Sequence, residues 1–397
     1  MSPLMICDAL HDLRSAFRQY GFDIKLVGGC VRDWVLDEWA NGQPHDIDLC
    51  TDATPDQQQA VYKQNGIAHY DTGLQHGTWS VVLDDILYEI TSLRTETDCD
   101  GRHATVSYTT DWLLDMSRRD LTFNAMAMSF DGLLTDPFGG QDDLENGRAR
   151  FVGVAGNRMR EDYLRILRWF RFHARFAKGR FSPEDVLTNQ AIVQNMHGLQ
   201  GISRERVWSE MKRILSEPFG PLAIFEMIRM GVMGPIGLPV PSMYDRAISY
   251  RRLCDAHQYT RDPVSLIATY LGTTAHVERL AAAWHFSGEE RHQALRVAHH
   301  VANGLPGGIT QAKGRVAVDR IPVETMAEVL RVRGQPVQAN ELLEWKVPVF
   351  PVTGDDLMAT GVKQGREMGR IINDMRAVWR DSHYMADKAE LLKGFSK

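Results

Sequence analysis

Residues 24–50 limit what this chain can fold into more than any other stretch. A short apolar strand, Ile24-Lys25-Leu26-Val27, ends at Gly28-Gly29. A helix-period segment then runs to Trp39, with Val31, Val35 and Leu36 on one face and Arg32 and Asp33 in its first turn. Two glycines before a helix let the backbone approach a ligand closely, and the free N–H groups there suit phosphate. After the loop Asn41-Gly42-Gln43-Pro44 comes His45-Asp46-Ile47-Asp48-Leu49-Cys50. On a strand, residues two apart share a face, so Asp46 and Asp48 point one way and Ile47 and Leu49 the other. Two adjacent carboxylates repel unless a cation lies between them. A pair of Mg²⁺ ions about 3.5–4 Å apart would neutralise both and would activate phosphoryl transfer. Alone, a Gly-Gly turn is common and an Asp-x-Asp pair is more often a solvated edge. Together, joined by one short loop, they are far more specific.

Composition narrows the class. The hydrophobic fraction of 44% and charged fraction of 24% are those of an ordinary globular protein, and 397 residues make roughly two to four compact units. No apolar run approaches the ~20 residues that span a bilayer, and the opening residues lack the basic-then-apolar pattern of a secretory signal. No membrane association is expected. Cys7, Cys30, Cys50, Cys99 and Cys254 are odd in number and scattered, without C-x-x-C spacing. They read as reduced thiols of a cytoplasmic protein, with no zinc site. The net charge of −6 argues against a general nucleic-acid coat. Its distribution says more. Residues 158–180 carry Arg158, Arg160, Arg165, Arg168, Arg171, Arg175, Lys178 and Arg180 against Glu161 and Asp162. Acids crowd 46–56 and 84–100. An acidic pole for metal and a basic stripe for phosphate suit an enzyme that handles nucleotides.

The form Val27-Gly28-Gly29-x-Val31-Arg32-Asp33, followed by Asp46-Ile47-Asp48-Leu49-x-Thr51-Asp52-Ala53-Thr54-Pro55, resembles nucleotidyltransferases of the DNA polymerase β superfamily. Within it, the chain is most similar to class II, which holds the CCA-adding tRNA nucleotidyltransferases and bacterial poly(A) polymerases. Three further runs carry the resemblance. Arg118-Arg119-Asp120-Leu121-Thr122-Phe123-Asn124-Ala125 is similar to the family's second motif. Glu161-Asp162-x-x-Arg165 is similar to its base-selecting motif. Thr353-Gly354-Asp355-Asp356-Leu357, with Gly361, Gly365, Gly369 and Trp379, is similar to its tail. The resemblance implies an α+β fold: a polymerase-β-like mixed-sheet head over 1–147, then an all-α neck (148–235), body (236–332) and tRNA-binding tail (333–397). It implies Mg²⁺ as cofactor and tRNA, CTP and ATP as partners.

In chain order, residues 5–20 read as a helix, and Thr54 caps another that begins at Pro55. Residues 67–72, 77–83 and 87–93 alternate as strands, with Asp84-Asp85 as a hairpin turn. Glu89 lies on the last of these, as either a third carboxylate of the superfamily's kind or an exposed strand glutamate. Residues 95–110 are polar and aperiodic and read as a loop. The resemblance gives Arg102 there a part in the final adenosine step. Residues 117–128 read as a helix that Ser117 caps. The family implies that Arg119 reaches the triphosphate and that Asp120 and Asn124, four apart, read the ribose hydroxyls. Phe130-Asp131-Gly132-Leu133 signals a hairpin, and Asp136 to Leu144 resembles the connector of head and neck, its glycines suited to a hinge.

Residues 160–172 read as one helix. Leu164, Leu167, Phe170 and Ala174 form its core stripe, while Asp162, Arg165, Arg168 and Arg171 drift along the other side. A carboxylate only accepts hydrogen bonds and a guanidinium only donates, so an Asp162–Arg165 pair matches the amine-beside-ring-nitrogen edge shared by cytosine and adenine. Arg168 and Arg171 are expected to meet phosphates or support that pair. Residues 182–235 read as all-helical, a boundary falls between Gly231 and Pro241, and the histidines at 257, 276, 285, 292, 299 and 300 read as scattered on the surface. Thr353 to Asp356 has capping-box spacing. The expected activity is template-independent addition of CCA to tRNA 3′ ends, with pyrophosphate released by a two-metal mechanism. Poly(A) polymerase, CC- or A-adding enzymes and a non-catalytic RNA-binding module are the alternatives.

Overall fold

A computed structural model describes residues 7–38, 47–74, 77–97, 105–176, 186–239, 243–305 and 308–394. Contacts divide the chain into two units, Met1–Ile236 and Gly237–Lys397.

The first unit starts with α1 (Asp8–Gln19), β1 (Ile24–Val27), α2 (Gly29–Val35), β2 (Asp48–Thr51) and α3 (Pro55–Gln64). β3 (His69–Gly73), β4 (Thr78–Leu83), β5 (Ile86–Ser92), β6 (Arg94–Thr97) and β7 (Thr105–Tyr108) follow, then α4 (Trp112–Ser117), β8 (Ala127–Met128), β9 (Leu134–Thr135) and α5 (Gly140–Glu145). The main sheet has the order β3-β4-β5-β2-β1-β8-β9. β2 and β5 are parallel and the other neighbours antiparallel. A sheet with its one parallel pair at the centre fits the expected mixed head.

Local chemistry explains these elements. Asp84 and Asp85 take φ of 49° and 62°, the left-handed pair that a two-residue hairpin demands. Thr54 accepts from Gln57 N while the Gln57 side chain accepts from Thr54 N at 2.8 Å, a full capping box on α3. Leu26, Val81, Ile90 and Met126 are fully buried in the sheet's core.

Two expectations fail here. The ends of the expected 95–110 loop are strands: β6 and β7 pair from Arg94↔Tyr108 to Thr97↔Thr105 as a separate hairpin. Cross-strand pairing supplied an order that the polar sequence does not advertise by period. The expected helix over 117–128 is absent. α4 ends at Ser117, and its cap is Asp111, which accepts from Leu113 N and Leu114 N. Residues 122–124 form a 3₁₀ turn and 127–128 a strand. The run was apolar enough for a buried helix because it is buried whole, from Leu121 to Met128.

One connector glycine is needed for packing. A Cβ on Gly140 would stand 2.6 Å from Thr122 O, so only glycine lets α5 seat on the 122–124 turn. Asp143, fully buried, accepts from Thr122 Oγ1 at 2.5 Å and from Arg150 Nε at 2.9 Å, which fixes the same contact.

The helices α6 (Ala155–Glu161), α7 (Leu164–Phe176), α8 (Val186–Asn195), α9 (Arg204–Ser216), α10 (Gly220–Arg229) and α11 (Met233–Ile236) complete the unit. The second unit is helical: α12 (Met243–His257), α13 (Pro263–Leu271), α14 (Thr274–Ala283), α15 (Gly288–Asn303), α16 (Gly308–Ala317), α17 (Val323–Val332), α18 (Pro336–Glu344), α19 (Gly354–Ala359), α20 (Arg366–Asp381) and α21 (Lys388–Lys393). Thr353 and Asp356 form the expected capping box on α19. Met368, Met375 and Trp379 of α20 bury against Val352, Leu357 and Leu391. The histidines are not all on the surface. His257 and His300 are buried, and His300 Nδ1 lies 3.1 Å from Gly304 O. Period alone does not show which polar residue of a helix its neighbours will cover.

Candidate active site

The parallel pairing of β2 with β5 sets Asp48 directly opposite Glu89. In parallel register both side chains leave the same face of the sheet, and both are exposed there. Asp48 lines a cleft of about 520 Å³; Glu89 stands beside it and is not part of the lining. Asp46 and Arg102 lie outside the described residues. Among the described residues no cluster of three or more His, Cys, Asp or Glu could hold a metal. The donor set in place is the Asp48–Glu89 pair, whose hard carboxylate oxygens are of the type Mg²⁺ takes.

Gly28, at φ 69°, joins β1 to α2. A Cβ there would sit 3.4 Å from Arg119 Nη1 and 3.7 Å from Asp48 Oδ2, so the glycine leaves room where the cation and the carboxylate converge. Gly29 opens α2, and Arg32 lies behind it. The Arg32 guanidinium is buried over the Phe172 ring, donates to Asn124 Oδ1 at 2.9 Å, and holds Asp33 at 2.8 Å. Burial pushes its pKa down, partly opposed by Asp33. It is not part of the cleft lining.

Arg119 donates to Asp115 Oδ2 and to Asn124 O, and its Nη2 lies 3.4 Å from Cys50 Sγ. Burial pushes the Cys50 thiol up to about 11 and the Cys30 thiol up to about 12. Both are therefore protonated at neutral pH and serve as packing, not as nucleophiles. Asp120 and Asn124 do come together, through the 3₁₀ turn and not along an α-helix. Asn124 Nδ2 donates to Asp120 Oδ1 at 3.0 Å, and Arg168 Nε donates to Asp120 Oδ2 at 2.6 Å. Burial would raise the Asp120 pKa, but Arg168, Asn124 and the Leu121 N–H outweigh it and hold it at about 2. A chain of contacts, Arg32–Asn124–Asp120–Arg168, thus ties α2 to α7.

The segment expected to select the base departs from its expected form. It is two helices, and Asp162 is the extended residue between them. Its Oδ1 accepts from Leu164 N at 3.0 Å, capping α7, and its Oδ2 pairs with Arg206 Nη2 at 2.7 Å. Arg165 pairs with Glu161 at 2.5 Å and donates to Arg118 O at 3.1 Å. Asp162 and Arg165 make no ion pair with each other: Asp162 is extended and pairs with Arg206, while Arg165 pairs with Glu161. Both residues still line the cleft. Arg171 does not. It is buried, pairs with Glu210 at 2.9 Å and lies on Phe172. Burial lowers its pKa to about 10. Arg171, expected to meet phosphates or to support the Asp162–Arg165 pair, is found outside the cleft lining, where it joins α7 to α9 through Glu210.

Sequence reasoning missed Arg94, Arg118 and Arg206, which also line the cleft. Arg118 was visible as the neighbour of Arg119; nothing in the spacing linked Arg206 to Asp162. The lining holds Arg94, Arg118, Arg119, Arg165, Arg168 and Arg206 against Asp48, Asp120 and Asp162. Six guanidiniums against three carboxylates leave a positive excess suited to a polyphosphate.

A family model described as the poly A polymerase head domain matches residues 24–150. A second, described as a probable RNA- and SrmB-binding site of polymerase A, matches residues 185–239. The chain is 34% identical to the Danio rerio protein named CCA tRNA nucleotidyltransferase 1, mitochondrial, over 99% of this chain and 91% of that one. The fold is similar to that of the Bacillus stearothermophilus CCA-adding enzyme solved in complex with CTP, with a TM-score of 0.74, 24% identity and coverage of 97% and 96%. It is also similar to the Thermotoga maritima CCA-adding enzyme complexed with tRNA, with a TM-score of 0.62, 20% identity and coverage of 98% and 95%.

Proposed function

The chain belongs to the CCA tRNA nucleotidyltransferase family, and from that premise we propose that the cleft around Asp48 is where it adds C, C and A to the 3′ end of tRNA. It uses CTP and ATP without a nucleic-acid template and releases pyrophosphate. One observation carries the assignment of the site: a single cleft gathers Asp48, Arg119, Asp120, Asp162 and Arg165, which arrive from three separate segments.

The chemistry of the family depends on a divalent metal. Asp48 and Asp46, with Glu89 abreast of Asp48, are the residues that would hold Mg²⁺. A divalent ion held there would supply a lowered pKa for the attacking 3′-hydroxyl and a counter-charge for the phosphate oxygens. Gly28 and Gly29 keep side chains out of the phosphate path. Arg119 supplies a fixed cation next to Asp48, while Arg32, one layer behind, acts on the phosphates through charge and by orienting Asn124. Asp120 and Asn124 face the ribose. Asp162 keeps acceptor capacity beyond its bonds to Leu164 N and Arg206, since a carboxylate has about four lone-pair sites. It therefore accepts from the cytosine N4 or adenine N6 amine, while Arg165 donates to the neighbouring ring nitrogen. Guanine and uracil set carbonyl against carboxylate, and each unpaired group costs about 1–3 kcal/mol. Arg168 holds Asp120, and Arg102 acts in the adenosine step.

The division into head (1–147), neck (148–235), body (236–332) and tail (333–397), with the tail on tRNA, is part of the same reading. So is a cytoplasmic location, supported by the free thiols Cys7, Cys30, Cys50 and Cys254. No helix among the described residues is long and apolar enough to cross a membrane.

The deciding assay incubates the protein with tRNA lacking CCA and each labelled nucleotide. Three residues added, then arrest, is the expected result. Continued addition of A would indicate a poly(A) polymerase, and arrest after two C residues a CC-adding enzyme. Asp48→Ala should abolish incorporation of both nucleotides and leave tRNA binding intact. Loss of tRNA binding in the folded variant would contradict the role given to Asp48.

A further inference from the structure

Behind the cleft lies a carboxylate that the reaction does not itself require. Asp115, near the end of α4, is 0% exposed and is not part of the cleft lining. Its Oδ1 accepts from Arg118 Nη2 at 2.7 Å, Arg118 Nε at 2.9 Å and Arg94 N at 3.2 Å. Its Oδ2 accepts from Arg119 Nη2 at 3.2 Å and Nε at 3.3 Å. Two adjacent arginines that would repel each other are thus held by the two oxygens of one buried anion. Arg118 in turn donates to Arg94 O at 3.0 Å and accepts, at its carbonyl, from Arg165 Nη2 at 3.1 Å.

We infer that Asp115 is a positioning residue for nucleotidyl transfer, setting Arg119 towards the triphosphate and, through Arg118, Arg165 towards the base. It touches no substrate. With both Asp115 oxygens engaged by arginines, the Arg119 guanidinium is held beside Gly28 and Asp48, where its Nη1 also donates to Asn124 O at 3.3 Å. Burial would raise the Asp115 pKa, but Arg119 and Arg118 outweigh it and keep it ionised. The inference rests on the role given above to Arg119.

The choice of substitution follows from donor and acceptor counts. Asn at 115 keeps the shape but offers one acceptor oxygen and an NH₂ donor. The donor then faces a guanidinium donor, and one arginine loses its anchor. A double-mutant cycle in the full chain tests the idea: Asp115→Asn, Arg119→Lys and both together, with kcat and KM measured for CTP and for ATP on tRNA. Asp115→Asn alone should lower kcat/KM by about tenfold or more for both nucleotides, with tRNA Kd unchanged. In the Arg119→Lys background the same change should cost a clearly smaller factor than in the parent, because one of the two arginines it acts through is already altered. An equal factor in both backgrounds, or no effect of Asp115→Asn in the folded protein, would overturn the inference. A silent Arg119→Lys would overturn the assignment of Arg119 itself, and this inference with it; the two failures are therefore distinguishable. If a thermal melt shows Asp115→Asn unfolded, Asp115→Glu, which keeps the buried charge and shifts it by one methylene, carries the same cycle with the same deciding comparison.

Discussion

At the scale of one residue, the proposed choice of base without a template rests on Asp162. Its carboxylate is fixed by a backbone N–H on one oxygen and by Arg206 on the other. Asp162→Asn would place an amide donor where cytosine and adenine also donate. Discrimination of CTP over UTP should then fall by one to two orders of magnitude, read as the ratio of kcat/KM values; an unchanged ratio would remove Asp162 from base selection. Asp120 makes a second prediction, on stability. Its carboxyl is held at about 2 in the folded protein against an ordinary 3.8. A depressed pKa means that the stabilisation, on the order of 2 kcal/mol, is present above the unfolded value and is lost as pH falls from about 4 through about 2. Urea melts across that range should show Asp120→Asn with a flatter stability profile than the parent. Parallel profiles would show that the Arg168 contact contributes nothing.

Among elements, the 122–124 turn matters most, because it holds Asn124 and is seated by α5. Gly140→Ala would press a methyl group against Thr122 O, 2.6 Å from the added Cβ. The expected cost is about 1–3 kcal/mol, with a raised nucleotide KM as Asn124 shifts. A melt and a KM measurement check both parts, and a variant as stable and active as the parent would show that α5 can move aside. Thr54→Ala should cost only about 1 kcal/mol, the usual value of a cap, and leave KM alone, since α3 contributes nothing to the cleft lining. The element-level errors of sequence reading have one origin. Periodicity distinguishes a covered face from a wet one, but residues 121–128 are covered on every side and so carry no period to read. Residues 94–97 and 105–108 became strands through pairing with each other, an interaction that neither segment specifies alone.

For the whole molecule, the cleft lies inside unit Met1–Ile236, whereas the proposed tRNA-holding tail lies in Gly237–Lys397. Residues 1–236 expressed alone should therefore bind CTP with affinity near that of the full chain and bind tRNA at least tenfold more weakly. Equal tRNA affinity would remove the second unit from substrate binding. The order of segments around the site was legible without coordinates, because the strand, Gly-Gly, the helix and the strand that opens at Asp48 are local patterns with local causes. The opening of α3, the hairpin at Asp84-Asp85 and the capping box at Thr353 were legible for the same reason: each is written within a few residues.

Partners were not legible. The sequence by itself determined which chemistry the chain carries: the carboxylate at Asp48, the arginines of 118–119 and 165–168, and the acid at 162. Only the tertiary structure decided that Arg206 and not Arg165 pairs with Asp162, that Arg171 is spent on Glu210, and that Asp115 stands behind Arg119. The physical reason is that a charged side chain in a partly dry site pairs with whatever counter-charge packing brings within about 3 Å. For Asp162 that neighbour lies 44 residues away along the chain.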